Sequence, residues 1–298
     1  MEIRQFRYFV SVVREESFSR ASHKLKIAQP AISRQIQMLE DEFGVKLLDR
    51  TAKGVHVTEA GREFMKMAES VLRYIGTIKT AVSSISDLPS GIVLVGLPPT
   101  LATSIATPLF KAVRDEYSQV KVRIVEGFSV FLSEWLEQSK IDIALLTDYG
   151  PIPGIKRRKV ADEDLVFVGT PSRVKKRKND TVTLAELANY PMIISNGIRN
   201  IVEPWLLSAN LELEFEMELD SIPLLVDLVT SGDYCTILPY SLVHNHARKG
   251  RIVALKITKN KIQRRIVTAV QANRTMSAAM TAVEDILIRE VKKLTLCK

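Results

Sequence analysis

The chain of 298 residues is poor in the side chains that metal and redox chemistry need, with two cysteines and four histidines. Cys235 and Cys297 stand far apart without Cys-x-x-Cys spacing, which excludes a disulfide scaffold and a cysteine metal site. Cys235 lies in an apolar run and is expected to be buried; Cys297 is penultimate. His244 and His246 are close but lack partners at metal-ligand spacing. His23 and His56 read as surface or packing residues, and no metal is assigned. No run of about 18 apolar residues exists, so no membrane-spanning helix is expected. The opening Met1-Glu2-Ile3-Arg4-Gln5-Phe6 lacks a charged-then-apolar signal layout, and a cytoplasmic protein is expected. Also missing are GxGxxG, GxxxxGK[ST], GxSxG and HExxH. An enzyme on this chain is therefore the least favoured class, and no cofactor is expected.

What remains is an ordinary globular composition, 46% hydrophobic and 26% charged, long enough for roughly two domains. The net charge of +8 suits a polyanionic partner. Residues 1–58 hold +3 of it and the other 240 hold +5, so charge alone singles out no nucleic-acid-binding part.

The first 58 residues pattern as short helices followed by a hairpin. Phe6, Phe9, Val10 and Val13 share one helical face. Ser17 can cap a second helix bearing Phe18, Ala21 and Leu25. A third helix is expected from about Ala28 to Asp41, with Pro30 in its first turn and Gly44 ending it. Its spacing buries Ile32, Ile36, Leu39 and Phe43. The opposite row presents Pro30, Ser33, Arg34 and Gln37, with Gln29 at the helix start, groups able to hydrogen-bond phosphates and base edges. Two short strands near Leu47-Leu48 and Val55-His56-Val57 flank a turn at Ala52-Lys53-Gly54, with Arg50 and Lys53 near the tip. Together these elements make a winged helix-turn-helix layout.

A long helical pattern then runs to about Ser86. Phe64, Ala68, Val71, Ile75, Ile78, Val82 and Ile85 are spaced 4-3-4-3-4-3, a heptad seam that favours self-pairing into a dimer. The helix would be on the order of 40 Å long and would space two DNA-reading heads. Leu88-Pro89-Ser90-Gly91 ends it.

From Gly91 strands and helices alternate, the mark of a parallel sheet with crossovers. Strands are expected at Ile92–Leu97, at Val120 to Ile124, at Ile141–Leu146, at Leu165–Val168 and at Met192–Ile194. Thr183 and Glu186 form a capping box for a helix. Leu211, Leu213, Phe215, Met217 and Leu219 alternate with glutamates as a half-buried strand. Crossover strands near Lys159–Asp164 and Gln263–Thr268 divide this region into two lobes. In such folds ligands bind at strand ends and helix N-termini. Thr100, Ser129, Thr147, Ser195, Asn196 and Ser221 all sit at such positions, and Arg199 offers a cationic anchor. Each is also an ordinary capping position; their collective placement suggests a small anionic metabolite. The basic runs Lys156-Arg157-Arg158-Lys159 and Lys175-Lys176-Arg177-Lys178 read as solvated loops or an oligomer contact.

The ordered series Ser17-Phe18, Ala21, Leu25, Ala28 to Ser33, Ile36, Leu39-Glu40, Gly44, Leu47, Arg50, Thr58, Ala60 and Gly61 resembles the N-terminal signature of the LysR-type transcriptional regulators. Gly127, Asp142-Ile143-Ala144 and the stretch from Val229 to Pro239 agree more diffusely, so the resemblance spans essentially the whole chain. Departures are Ala28 for a capping Ser or Thr, Ser22 for Ala, Leu48 for Phe and Tyr234 for Gly. The resemblance implies a winged helix-turn-helix head (1–58), a dimerising linker helix (59–89) and a two-lobed α/β effector domain (90–298) similar to periplasmic binding proteins. Lobe I would hold about 90–161 and 268–298, and lobe II about 162–267. By matching position, Gln29, Pro30, Ser33 and Arg34 would meet DNA, with Arg50 and Thr51 on phosphates. Implied partners are double-stranded DNA at a promoter dyad, a small-molecule effector, RNA polymerase, and a second copy in a homodimer or a dimer of dimers. The competing class is a nonspecific architectural DNA binder, which has no need of some 200 residues of two-lobed domain.

Overall fold

The computed structural model describes residues 1–51, 54–83, 88–175, 179–258 and 261–296. They form two compact units, Met1–Ser86 and Asp87–Lys298. In the first unit, α1 (Ile3–Glu15), α2 (Phe18–Leu25) and α3 (Gln29–Phe43) precede the antiparallel pair β1 (Leu48–Thr51) and β2 (Gly54–Val57), and α4 (Glu59–Ser83) follows. Ser17 caps α2 by accepting from the Arg20 amide at 3.3 Å. Ala28 gives α3 no side-chain cap, and Gly44 closes that helix in the left-handed region at φ +68°. The core takes Phe6, Phe9 and Val10 from α1 and Ile32, Ile36 and Leu39 from α3. Phe43 departs from the expected buried row: it is 45% exposed, although its ring meets Phe64 edge-on at 5.5 Å.

Two polar devices fix the wing. Buried Glu40 accepts from the amides of Leu47 and Leu48 at 2.8 and 3.0 Å and pairs with Lys46. Thr58 Oγ1 accepts from the Gly61 amide at 3.0 Å and donates to the Lys46 carbonyl at 2.7 Å. At Gly61 the chains pass so closely that a Cβ would lie 2.1 Å from the Leu47 carbonyl oxygen, so only glycine fits.

The second unit opens with β3 (Gly91–Leu97), α5 (Pro99–Glu116), β4 (Val120–Glu126), α6 (Ser129–Glu137) and β5 (Ile143–Thr147). A long strand, β6 (Ile155–Gly169), is followed by β7 (Thr181–Thr183), a 3-10 helix (Ala185–Asn189), β8 (Ile193–Ile194), α7 (Asn196–Ser208) and β9 (Met217–Glu218). Then come α8 (Ile222–Ser231), β10 (Thr236–Pro239), α9 (Tyr240–Arg248), β11 (Val253–Thr258), β12 (Gln263–Gln271) and α10 (Ala278–Leu296). The sheet order is β4-β3-β5-β12-β6-β11-β7, with β10 also on β6. Thus β6 begins in the first lobe beside β12 and ends in the second between β10 and β11. The antiparallel pairing of Gln263 with Asp164, Arg264 with Glu163 and Arg265 with Asp162 forms the junction between the lobes. Separate apolar cores fill each lobe: Leu101, Ile105, Leu109 and Val283 in one, and Phe167, Val202, Leu255 and Cys235 in the other.

Several elements differ from expectation. Leu165–Val168 is the end of the fifteen-residue β6, which also contains the basic run 156–159. That run is a strand, not a loop, and Arg157 pairs with Asp148. Of the second basic run, 176–178 lie outside the described residues. Thr183 and Glu186 do form a capping box, yet it opens a single five-residue 3-10 helix. The alternating 211–219 segment yields only the two-residue β9, pairing with β8. Leu211, Leu213 and Phe215 still pack on the second-lobe core, but Met217 is 40% exposed. Among the described residues no helix is long and apolar enough to cross a membrane.

Candidate nucleic-acid interface and effector cavity

The packing of Ile32, Ile36 and Leu39 turns the opposite side of α3 outward. Gln29, Pro30 and Arg34 are exposed, and Ser33 and Gln37 are half-buried. Pro30, Ala31, Arg34, Gln35 and Met38 line one shallow surface. Arg34 has no ion pair among the described residues, so its guanidinium fork points from a rigid helix into solvent. Gln37 is less available, since its amide donates to Asp41 at 2.7 Å and accepts from Lys46 at 3.2 Å. Lys53 and the side chains of Arg50 and Thr51 lie outside the described residues. A helix braced from behind and bearing exposed amide and guanidinium groups can read base edges in a major groove.

The heptad seam divides. Phe64 and Ala68 are consumed by the head's own core, with the Phe64 ring 5.3 Å from Phe6 and 4.9 Å from Phe9. They are therefore removed from the set facing a second copy. Val71 and Ile78 are 39% and 48% exposed and Ile75 is half-buried, so the outward apolar stripe begins at Val71. The Val82 side chain and Ile85 lie outside the described residues.

In the second unit a cavity of about 380 Å³ opens between the lobes. Thr100, Ser129, Thr147, Ser195 and Asn196 all line it, as the sequence led us to expect. Their convergence follows from topology, because α5, α6 and α7 start where β3, β4 and β8 end. The N-termini of α5, α6, α7 and α8 all reach this cavity, and none has a side-chain cap hydrogen bond. Ser129 Oγ accepts from the Thr147 amide at 3.0 Å, which ties α6 to the end of β5. The Asn196 amide donates to Asp220 at 3.0 Å, so a carboxylate already serves the start of α7. Tyr149 reaches from the first lobe to donate to the Gly197 carbonyl at 3.3 Å. Partial burial raises the pKa of its phenol, while the Arg264 charge and a hydrogen bond with Thr147 pull it down.

Two expected members are elsewhere. Ser221 does not line the cavity, although its neighbours Asp220 and Ile222 do. Arg199 is turned outward, paired with Glu218 at 2.8 Å and Glu203 at 3.7 Å and lying 5.8 Å from the Phe215 ring centroid. The cation that does line the cavity is Arg264, 2% exposed. It donates from Nε to Glu163 at 2.8 Å and from Nη1 to Thr100 Oγ1 at 2.5 Å. Sequence reasoning passed over it because Arg264 sits in a run of charged residues; its buried register appears only once β12 is paired with β6. The described cysteine, Cys235, is fully buried, and burial pushes its thiol up to about 11.

Comparison with known proteins matches both units. Residues 3–62 fit the bacterial regulatory helix-turn-helix family of lysR type, and residues 86–292 fit the LysR substrate binding domain. The nitrogen assimilation regulatory protein nac of Klebsiella aerogenes is 30% identical over 294 residues, 98% of this chain and 96% of that protein. BsdA of Bacillus subtilis, an HTH-type transcriptional regulator, is 29% identical over 259 residues, 83% of this chain and 87% of that protein. Among solved structures, full-length CbnR in complex with its target DNA superposes with a TM-score of 0.73 at 21% identity, covering 97% of this chain and all of that one. The chain belongs to the LysR-type transcriptional regulators, a family of DNA-binding regulators with an effector-binding domain rather than of enzymes.

Proposed function

We propose that the chain is a cytoplasmic regulator whose head (1–58) reads a dyad-like promoter site, whose linker helix (59–89) pairs two copies, and whose remaining residues (90–298) sense a small anionic metabolite. Lobe I takes about 90–161 and 268–298, and lobe II about 162–267. Gln29, Pro30, Ser33 and Arg34 approach base edges, and Arg50, Thr51 and Lys53 approach phosphates. The outward stripe of Val71, Ile75 and Ile78 meets its copy, and two dimers assemble on bent DNA within reach of RNA polymerase. Effector binding changes the angle between the lobes, and regulation follows if the two assemblies bind the effector with different affinity.

The observation that carries the effector reading is the convergence on one cavity of four helix N-termini whose own N-cap side chains make no cap hydrogen bond, with Asp220 serving only α7. Such amides and the positive ends of their dipoles favour negative charge. Because Asp220 occupies the start of α7, the effector's anionic group belongs at α5 and α6, beside Thr100, Ser129 and Thr147. A thermal-shift screen of the full chain with small carboxylates, phosphates, amines and neutral metabolites tests this. An anion at about a hundred times its Kd should stabilise the protein by about 2.7 kcal/mol. Stabilisation by neutral or cationic compounds alone contradicts the reading.

A further inference from the structure

A second cavity, of about 300 Å³, lies at the junction of the lobes and has no lining residue in common with the first. Crossover residues 162–164 line it, together with Tyr240 and Ser241 of α9 in the second lobe and Leu294 near the end of α10. Ser241 is 6% exposed, and its hydroxyl oxygen has no hydrogen-bond partner among the described residues. A buried hydroxyl left unmatched is uncommon and costs free energy, which a bound polar group relieves.

The charges of this cavity are matched except at two places. Glu163 pairs with Arg264, Asp164 takes bonds from Gln263 and Lys261, and Asp162 faces Lys159 and Arg265. Asp180 and Lys256, both exposed at the cavity's rim and joined by the Lys256 amide donating to the Asp180 carbonyl at 2.8 Å, have no side-chain ion pair among the described residues. Among the described residues, a carboxylate and an ammonium without an ion pair and a hydroxyl without a hydrogen bond, around a cavity with Leu294 and Val166 in its wall, are the complement of a small zwitterion.

The two cavities are also wired together. Glu163 Oε1 accepts from the Ser241 amide at 3.2 Å, Glu163 Oε2 takes Arg264, and Arg264 donates to Thr100 in the interlobe cavity. This chain is buried along its length, in a medium where charge shifts are weakly screened.

We propose that the junction cavity is a second ligand site, for a small α-amino acid, coupled to the interlobe cavity through Thr100, Arg264, Glu163 and Ser241. The ligand ammonium faces Asp180, its carboxylate faces Lys256, and the Ser241 hydroxyl supplies the hydrogen bond it now lacks. The coupling rests on the effector reading above; the existence of the site does not.

Titration calorimetry of the full-length protein with each of the twenty standard L-amino acids tests it. At least one should bind at millimolar concentration or below, and D180N, K256M and S241A should each weaken it about tenfold or more. The exposed Phe131 lines only the interlobe cavity among the two, so F131A should leave that affinity unchanged. If none of the twenty binds, the proposal falls. If binding is lost in F131A and kept in D180N and K256M, the amino acid occupies the interlobe cavity, which overturns the second site while leaving the first.

Discussion

Removing Arg264 alone should damage the effector unit far more than removing Arg264 and Glu163 together. The pair is 2% and 4% exposed, and the carboxylate holds the guanidinium at 2.8 and 2.6 Å. In R264M the Glu163 carboxylate, 4% exposed, keeps only the Ser241 amide. Breaking a buried pair in this way costs about 3–5 kcal/mol. For a unit of this size, at roughly 2–4 °C per kcal/mol, the unfolding midpoint should fall by about 6–20 °C. The double variant R264M/E163L removes the stranded charge and should recover most of the loss, giving a coupling energy of at least about 2 kcal/mol. Urea unfolding followed by tryptophan fluorescence is the suitable assay. The chain's two tryptophans, Trp135 on α6 and Trp205 on α7, both belong to this unit, one beside each lobe's core. A single-variant cost below about 1 kcal/mol, or strict additivity in the double variant, would refute the argument that the pair is a coupled buried unit.

Other outcomes are open to direct measurement. R34A should weaken specific DNA binding by about 1–3 kcal/mol and relax base preference, seen by fluorescence anisotropy on the promoter site; equal loss on all sequences would make Arg34 a phosphate contact. G61A should destabilise the head by about 2 kcal/mol or more, because its Cβ would lie 2.1 Å from the Leu47 carbonyl oxygen; an unchanged helical circular dichroism melt of the head would contradict that contact. V71E/I78E should shift the protein towards monomer in sedimentation velocity, and a persistent dimer would move the pairing surface elsewhere. Cys235, with its thiol raised to about 11 by burial, should resist iodoacetamide at pH 8 until the protein unfolds. The raised value also means that its contribution to stability is complete below the unfolded thiol pKa and is lost as pH rises through about 11.

The head was legible in the sequence because its signals are local. Ser17 caps where it stands, Gly44 takes the left-handed turn, and the 3.6-residue spacing of Ile32, Ile36 and Leu39 predicts burial. Phe43 broke that rule at the last position of α3, where the helix stops beneath it. In the α/β unit, alternation proved to report burial rather than pairing. Leu211, Leu213 and Phe215 do turn inward, yet only Met217 and Glu218 find a strand partner in β8. The basic run 156–159 concealed strand character, since β6 is paired on one side by β12 and the charged side chains escape at its exposed positions. Five of the seven expected effector residues meet in one cavity because strand ends and helix starts are topologically fixed. Arg264 could not be found in this way: what buries it is a register across a sequence separation of 101 residues from Glu163. The heptad seam read as one surface, but its first two members had an intramolecular use in the head's core, Phe64 packing against Phe6 and Phe9.

The measurement closest to the central claim is a nuclease footprint on the DNA upstream of the protein's own gene, taken across salt concentrations and a panel of small anions. A ligand-responsive regulator should protect a dyad-containing site, with the protected region shortened or shifted by one of the anions. Salt-sensitive coverage of the whole fragment, with no preferred site and no response to any anion, would contradict the account and identify a nonspecific architectural binder instead.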